Sequence, residues 1–85
     1  GKNLIYAYPN PFIQSTKIKF ETFGGFTMIE ILDNEGSSIK TLLSAVLDAG
    51  SYEVSCDLEF APDGIYYARI QNKNLQQVVS MIKVR

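Results

Sequence analysis

Histidine and tryptophan are absent from this chain, and cysteine occurs once, at Cys56. Without histidine there is no Ser-His-Asp or Cys-His arrangement. With one cysteine there is neither an internal disulfide nor the usual zinc set. Cys56 shares a strand face with Tyr52 and Val54, so it reads as a small buried hydrophobe rather than a reactive thiol. No apolar run approaches the roughly 18 residues of a transmembrane helix, and the start lacks a basic region leading into an apolar stretch. A net charge of −1 with eight scattered cations gives no basic footprint, which argues against nucleic acid as a partner. No cofactor, metal or catalytic residue is expected, and the chain does not read as an enzyme. Asp33 with Glu35, and Asp57 with Glu59, are carboxylate pairs in name only, because nothing pins either in a cleft. Asp33-Asn34-Glu35 resembles a fragment of a calcium loop but lacks the spaced ligands and the closing bidentate glutamate.

What remains is a chain of 85 residues, enough for one domain spanning residues 1–85 and one core. Gly1 in place of an initiator methionine points to a piece of a longer protein. Helical periodicity is nearly missing, while apolar and polar residues alternate between turn signals. Strands are expected at about 4–8, 16–22, 26–32, 38–43, 50–56, 65–71 and 76–84. Phe23-Gly24-Gly25-Phe26 reads as a tight hairpin, Asp33 to Gly36 as a turn, and 44–49 as a loop. Phe60 is expected to plug the end of the core. Seven short strands with brief connections suggest an all-β fold, a seven-stranded immunoglobulin-like Greek-key β-sandwich.

Tyr8-Pro9-Asn10-Pro11-Phe12 is the most constrained stretch. Two prolines one residue apart fix φ twice and remove two backbone donors, so no helix or central strand runs through it. An aromatic ring at each end would anchor the bend to the core, and the segment reads first as a fold device.

Five pieces, in order, resemble the C-terminal sorting domain of proteins exported by the type IX secretion system of Bacteroidetes-type bacteria, in its common first variety. They are YPNPF at 8–12, ILDNEG at 31–36, AGSYEV at 49–54, DGIYYARI at 63–70 and MIKVR at 81–85. Carried over residue by residue, the resemblance marks Pro9, Asn10 and Pro11, then Gly50 and Tyr52, then Gly64 and Tyr66, as mainly structural motif positions. It places recognition at Met81, Ile82, Lys83, Val84 and Arg85, while Ser80 stands where that family commonly has a lysine. The resemblance implies a label at the end of a longer cargo protein, read in the periplasm by outer-membrane secretion machinery. A surface sortase would then remove it, leaving the cargo on the cell surface or secreted.

An exposed last strand suits such a role, because unpaired backbone groups invite strand addition and Lys83 and Arg85 would add charge steering. The same edge allows self-association. A second function class is a fibronectin-like accessory module that holds a polysaccharide or spaces an enzyme on a surface, with Tyr6, Phe23, Phe26 and Tyr67 as an aromatic platform. The missing tryptophan counts against it. A third is a purely structural sandwich such as those of flagellar hook-capping proteins.

Overall fold

Seven strands in two sheets carry most of residues 4–85, the part of the chain that the computed structural model describes; Gly1 lies outside the described residues. Strands β1 (Ile5–Tyr8), β2 (Ser15–Thr22) and β5 (Gly50–Asp57) form one sheet in the order β1-β2-β5. Strands β3 (Gly25–Leu32), β4 (Ser38–Leu47), β6 (Gly64–Asn72) and β7 (Leu75–Lys83) form the other in the order β4-β3-β6-β7. All strand pairs are antiparallel. No helix among the described residues is long and apolar enough to cross a membrane.

Alternation with period two makes this a β-sandwich, since each strand sends every second side chain to a shared interior. Ile18 and Phe20 enter from one sheet, and Ile29, Ile31, Ala68, Ile70 and Met81 from the other. Phe12, Cys56, Leu58 and Ala61 complete the same cluster. Each large aliphatic chain buried there contributes roughly 1.5–3 kcal/mol relative to exposure.

The segment expected as a loop at 44–49 is largely strand, because β4 runs to Leu47. Its helix-like spacing has a local cause. Ile29 pairs with Leu43 but Glu30 pairs with Thr41, and Ile31 pairs with Lys40 but Leu32 with Ser38. Leu42 and Ile39 are therefore extra residues in bulges, which shift the phase of alternation and leave Leu42 and Leu43 both packed against the core.

The expected hairpin at residues 23–26 is instead a crossing between sheets, since β2 pairs with β1 and β5 while β3 pairs with β4 and β6. Turn chemistry is the same in both cases; what differs is a partner far away in sequence. Asn72, 2% exposed, holds this corner. Its Oδ1 accepts from the Phe23 N–H at 3.0 Å, and its Nδ2 donates to the carbonyls of Gly24 and Phe26, both at 3.1 Å. Beside it the Thr22 and Thr27 hydroxyls meet at 2.8 Å. Phe60 is no plug. It is 69% exposed, and Leu58 and Ala61 fill the place expected for it, in a turn closed by the Ala61 N–H on the Leu58 carbonyl.

Asn72→Ala strands one buried N–H and two carbonyls, and chemical denaturation should show a loss of about 2–3 kcal/mol. Glu35→Ala, in the exposed turn after β3, should stay within about 0.5 kcal/mol of the parent.

Candidate functional site: the end of the last strand

Two of the sequence boxes turn out to be one device used twice. Gly50 and Gly64 open β5 and β6 with φ of 157° and 151°, values at which a side chain is strained. Two residues later a tyrosine reaches back to the carbonyl four positions before it. The Tyr52 hydroxyl donates to Asp48 at 2.7 Å, and the Tyr66 hydroxyl donates to Pro62. Both sit where the chain passes between sheets, and the Tyr66 bond is of the tyrosine-corner kind found in β-sandwiches. Tyr52 also stacks on Phe20, with ring centroids 5.6 Å apart.

The second corner determines where the last strand ends. Gly64 pairs with Lys83, so the neighbouring Asp63 lies beside the Lys83 side chain. The Lys83 Nζ is 3.3 Å from Asp63 Oδ1, and the Arg85 Nε is 3.6 Å from Asp63 Oδ2. Alternation then divides the five terminal positions. Met81 is fully buried and the Lys83 side chain is only 9% exposed, whereas that of Arg85 is 95% exposed. Ile82 and Val84 are both exposed, on the outer face of the sheet. The steering charge expected from Lys83 is therefore not presented by the folded chain, because odd-numbered residues at this end of β7 face inward.

The proline box lies against this same end. Phe12 is 2% exposed and makes a parallel bridge with Lys83. Its N–H donates to the Ile82 carbonyl at 2.9 Å, and its own carbonyl accepts from the Val84 N–H at 2.8 Å. Before Phe12, neither Pro9 nor Pro11 has an N–H to give, and the Asn10 side chain makes the next bonds to β7. Its Nδ2 donates to the Ser80 carbonyl and its Oδ1 accepts from the Ile82 N–H, both at 2.9 Å. A side-chain amide thus stands in for the N–H and C=O of one strand residue, with one donor and one acceptor at strand spacing. The Thr16 hydroxyl fixes the entry by donating to the Pro9 carbonyl at 2.6 Å, and both X–Pro bonds, Tyr8-Pro9 and Asn10-Pro11, are cis. Tyr8 does not anchor the bend; it is 69% exposed.

The outer edge of β7 is thus covered from the Ser80 carbonyl to the Val84 N–H. Further back, Gln76 and Val78 direct their backbone groups the same way, and no backbone partner faces them among the described residues. The sequence signal for this arrangement was an asparagine between two prolines, a side chain that offers a donor and an acceptor side by side where the flanking prolines offer no N–H.

Other polar groups have structural work. The Asp33 carboxylate accepts from the N–H groups of Glu35 and Ser37, both at 2.9 Å, and Asp57 accepts from that of Glu59. Arg69 bonds Glu30 across β3 and β6 at 2.7 Å; that bond, with a second from the Ser38 hydroxyl, holds the Glu30 carboxyl below its usual range. Burial pushes the Cys56 thiol up to about 11, leaving it protonated and unreactive near neutrality. The four candidate platform aromatics do not converge. Tyr6 lies on β1 in the other sheet, while Tyr67 pairs across from Leu32, six residues along β3 from Phe26, or about 20 Å.

The chain is thus a small all-β sandwich whose two motif glycines build corners and whose first and last motifs meet at one edge. A family model described as the secretion system C-terminal sorting domain matches residues 6–84. The chain belongs to that family, the sorting domains of type IX secretion, which are in general non-catalytic. Membership implies interaction with the secretion machinery and export to the cell surface or beyond. No curated protein and no solved structure matches the chain.

Asp63→Ala leaves the Lys83 ammonium largely buried without its partner. The loss on denaturation should be about 1–2 kcal/mol, below the figure for a fully enclosed pair because Asp63 is 40% exposed. Arg85→Ala should stay within about 0.5 kcal/mol of the parent. Equal losses in the two variants would contradict this division of the terminal cations.

Proposed function

We propose that this domain is the C-terminal address of a longer cargo protein and that the export machinery reads it at the end of β7. The family match supports the role, and one observation supports the location. Ile82, Val84 and Arg85 are presented outward on an edge strand, while Met81 and Lys83 hold that strand to the core. The cargo reaches the periplasm by a separate leader, the outer-membrane machinery engages the label, and a surface sortase removes it once the cargo is across. The edge at Gln76 and Val78, which meets no backbone partner among the described residues, also offers pairing to a second copy of the isolated domain.

The test places residues 1–85 behind a periplasmic reporter in a host that has the secretion system, beside the same host lacking it. The intact label should bring the reporter to the surface only in the first host, and the released reporter should lack the domain by mass. Ile82→Ser with Val84→Ser, which leaves the core side chains in place, should hold the reporter in the periplasm. A reporter that stays periplasmic with the intact label, or leaves equally well with the double variant, would end this reading.

A further inference from the structure

The backbone groups by which a last strand is read through strand addition are, in this fold, already taken. The Ser80 carbonyl, the Ile82 N–H and carbonyl and the Val84 N–H all bond to residues 10–12. We propose that residues 10–12 are a displaceable clasp on the reading edge, and that the export machinery engages β7 by exchanging an extended segment of its own for that clasp. The proposal rests on the reading of β7 as the recognised strand.

The clasp already has the form of the partner it keeps out. It runs parallel to β7 and offers two donors and two acceptors: Asn10 Nδ2 and the Phe12 N–H, Asn10 Oδ1 and the Phe12 carbonyl. The N–H and C=O groups of two alternate residues in an extended segment running in the same direction supply the same four groups, so exchange keeps the number of hydrogen bonds constant.

Its two halves are held unequally. Phe12 is buried in the core, whereas Pro9, Asn10 and Pro11 are exposed; the Asn10 half is held by two neutral hydrogen bonds to β7 and, at the Pro9 carbonyl, by one from the Thr16 hydroxyl of β2. That weaker half adjoins Gln76 and Val78, whose outward backbone groups meet no backbone partner among the described residues, while the Gln77 side chain between them accepts from the Leu4 N–H at 2.6 Å. An incoming segment therefore has a foothold immediately before the first bond it must replace. Along the way the outward side chains of Val78 and Ile82 are apolar, with Ser80 between them and Ile65 directly across from Ile82. The partner that fits is an extended segment with apolar side chains at alternate positions, which makes the clasp a guard on the edge until such a segment arrives.

The test uses the full label on the reporter in the secreting host, with Asn10→Leu, which removes both bonds at similar size, and Asn10→Asp, which keeps the acceptor and loses the donor. Two quantities are read: the initial rate at which reporter appears at the surface, and amide exchange at Ile82 in the purified fusion. Exchange should quicken by roughly ten-fold or more in Asn10→Leu, through loss of two neutral bonds. Export should rise in the order parent, Asn10→Asp, Asn10→Leu. Unchanged exchange, or faster exchange with export equal to or slower than the parent, overturns the clasp. Should Asn10→Leu fail to melt cooperatively, Asn10→Asp carries the test with the same two outcomes. A parent label that leaves the reporter in the periplasm overturns the sorting reading and the clasp with it, so the two failures are told apart.

Discussion

An edge strand has a row of backbone donors and acceptors that must go somewhere, and in this domain the row on β7 is met by four hydrogen bonds from residues 10–12. Those bonds join positions about seventy residues apart in the chain. They also tie the connection leaving β1, which belongs to one sheet, to the last strand of the other. The closure is non-local, and its cost in chain entropy is met by burying Phe12 in the core together with Met81. Without it, β7 would be an unprotected edge from end to end, the arrangement that soluble sandwiches avoid.

The same economy runs through the other motifs. Gly50 and Gly64 take a backbone conformation that excludes side chains, and Tyr52 and Tyr66 fasten the turns behind them. The second of these corners brings Asp63 to Lys83, so a loop between sheets positions the end of the last strand. Most residues that mark the family in this chain therefore build corners or the edge, and Ile82, Val84 and Arg85 are left exposed. A strand with one buried face must keep its inward residues for the fold. This is why the basic residues at its end have such different surroundings.

Much of the fold was legible because alternation is a strong signal. Thr16, Ile18 and Phe20 on β2, and Thr27, Ile29 and Ile31 on β3, are buried as the period of two requires. The misreadings have particular causes. Two bulges in β4 broke the alternation at Ile39 and Leu42 and made a strand look like a loop with a helical turn. The glycine pair at residues 24 and 25 announced a turn, but nothing local said that the chain would change sheets there. Phe60 looked like core by composition and is held outside by the turn that buries Leu58. At the end of β7, the alternation that buries Met81 and exposes Ile82 was legible in the sequence. The burial of Lys83 and the grip of Asn10 were not, because each depends on a partner from a distant segment: Asp63 in one case, Ser80 and Ile82 in the other.

The account turns on whether residues 10–12 hold the end of β7 in solution, and through-hydrogen-bond scalar coupling in the isotope-labelled domain measures this most directly. A coupling between the Val84 amide nitrogen and the Phe12 carbonyl carbon, matched by one between the Phe12 nitrogen and the Ile82 carbonyl, is the predicted result. Couplings seen across β6 and β7 but absent at both of these positions would contradict it.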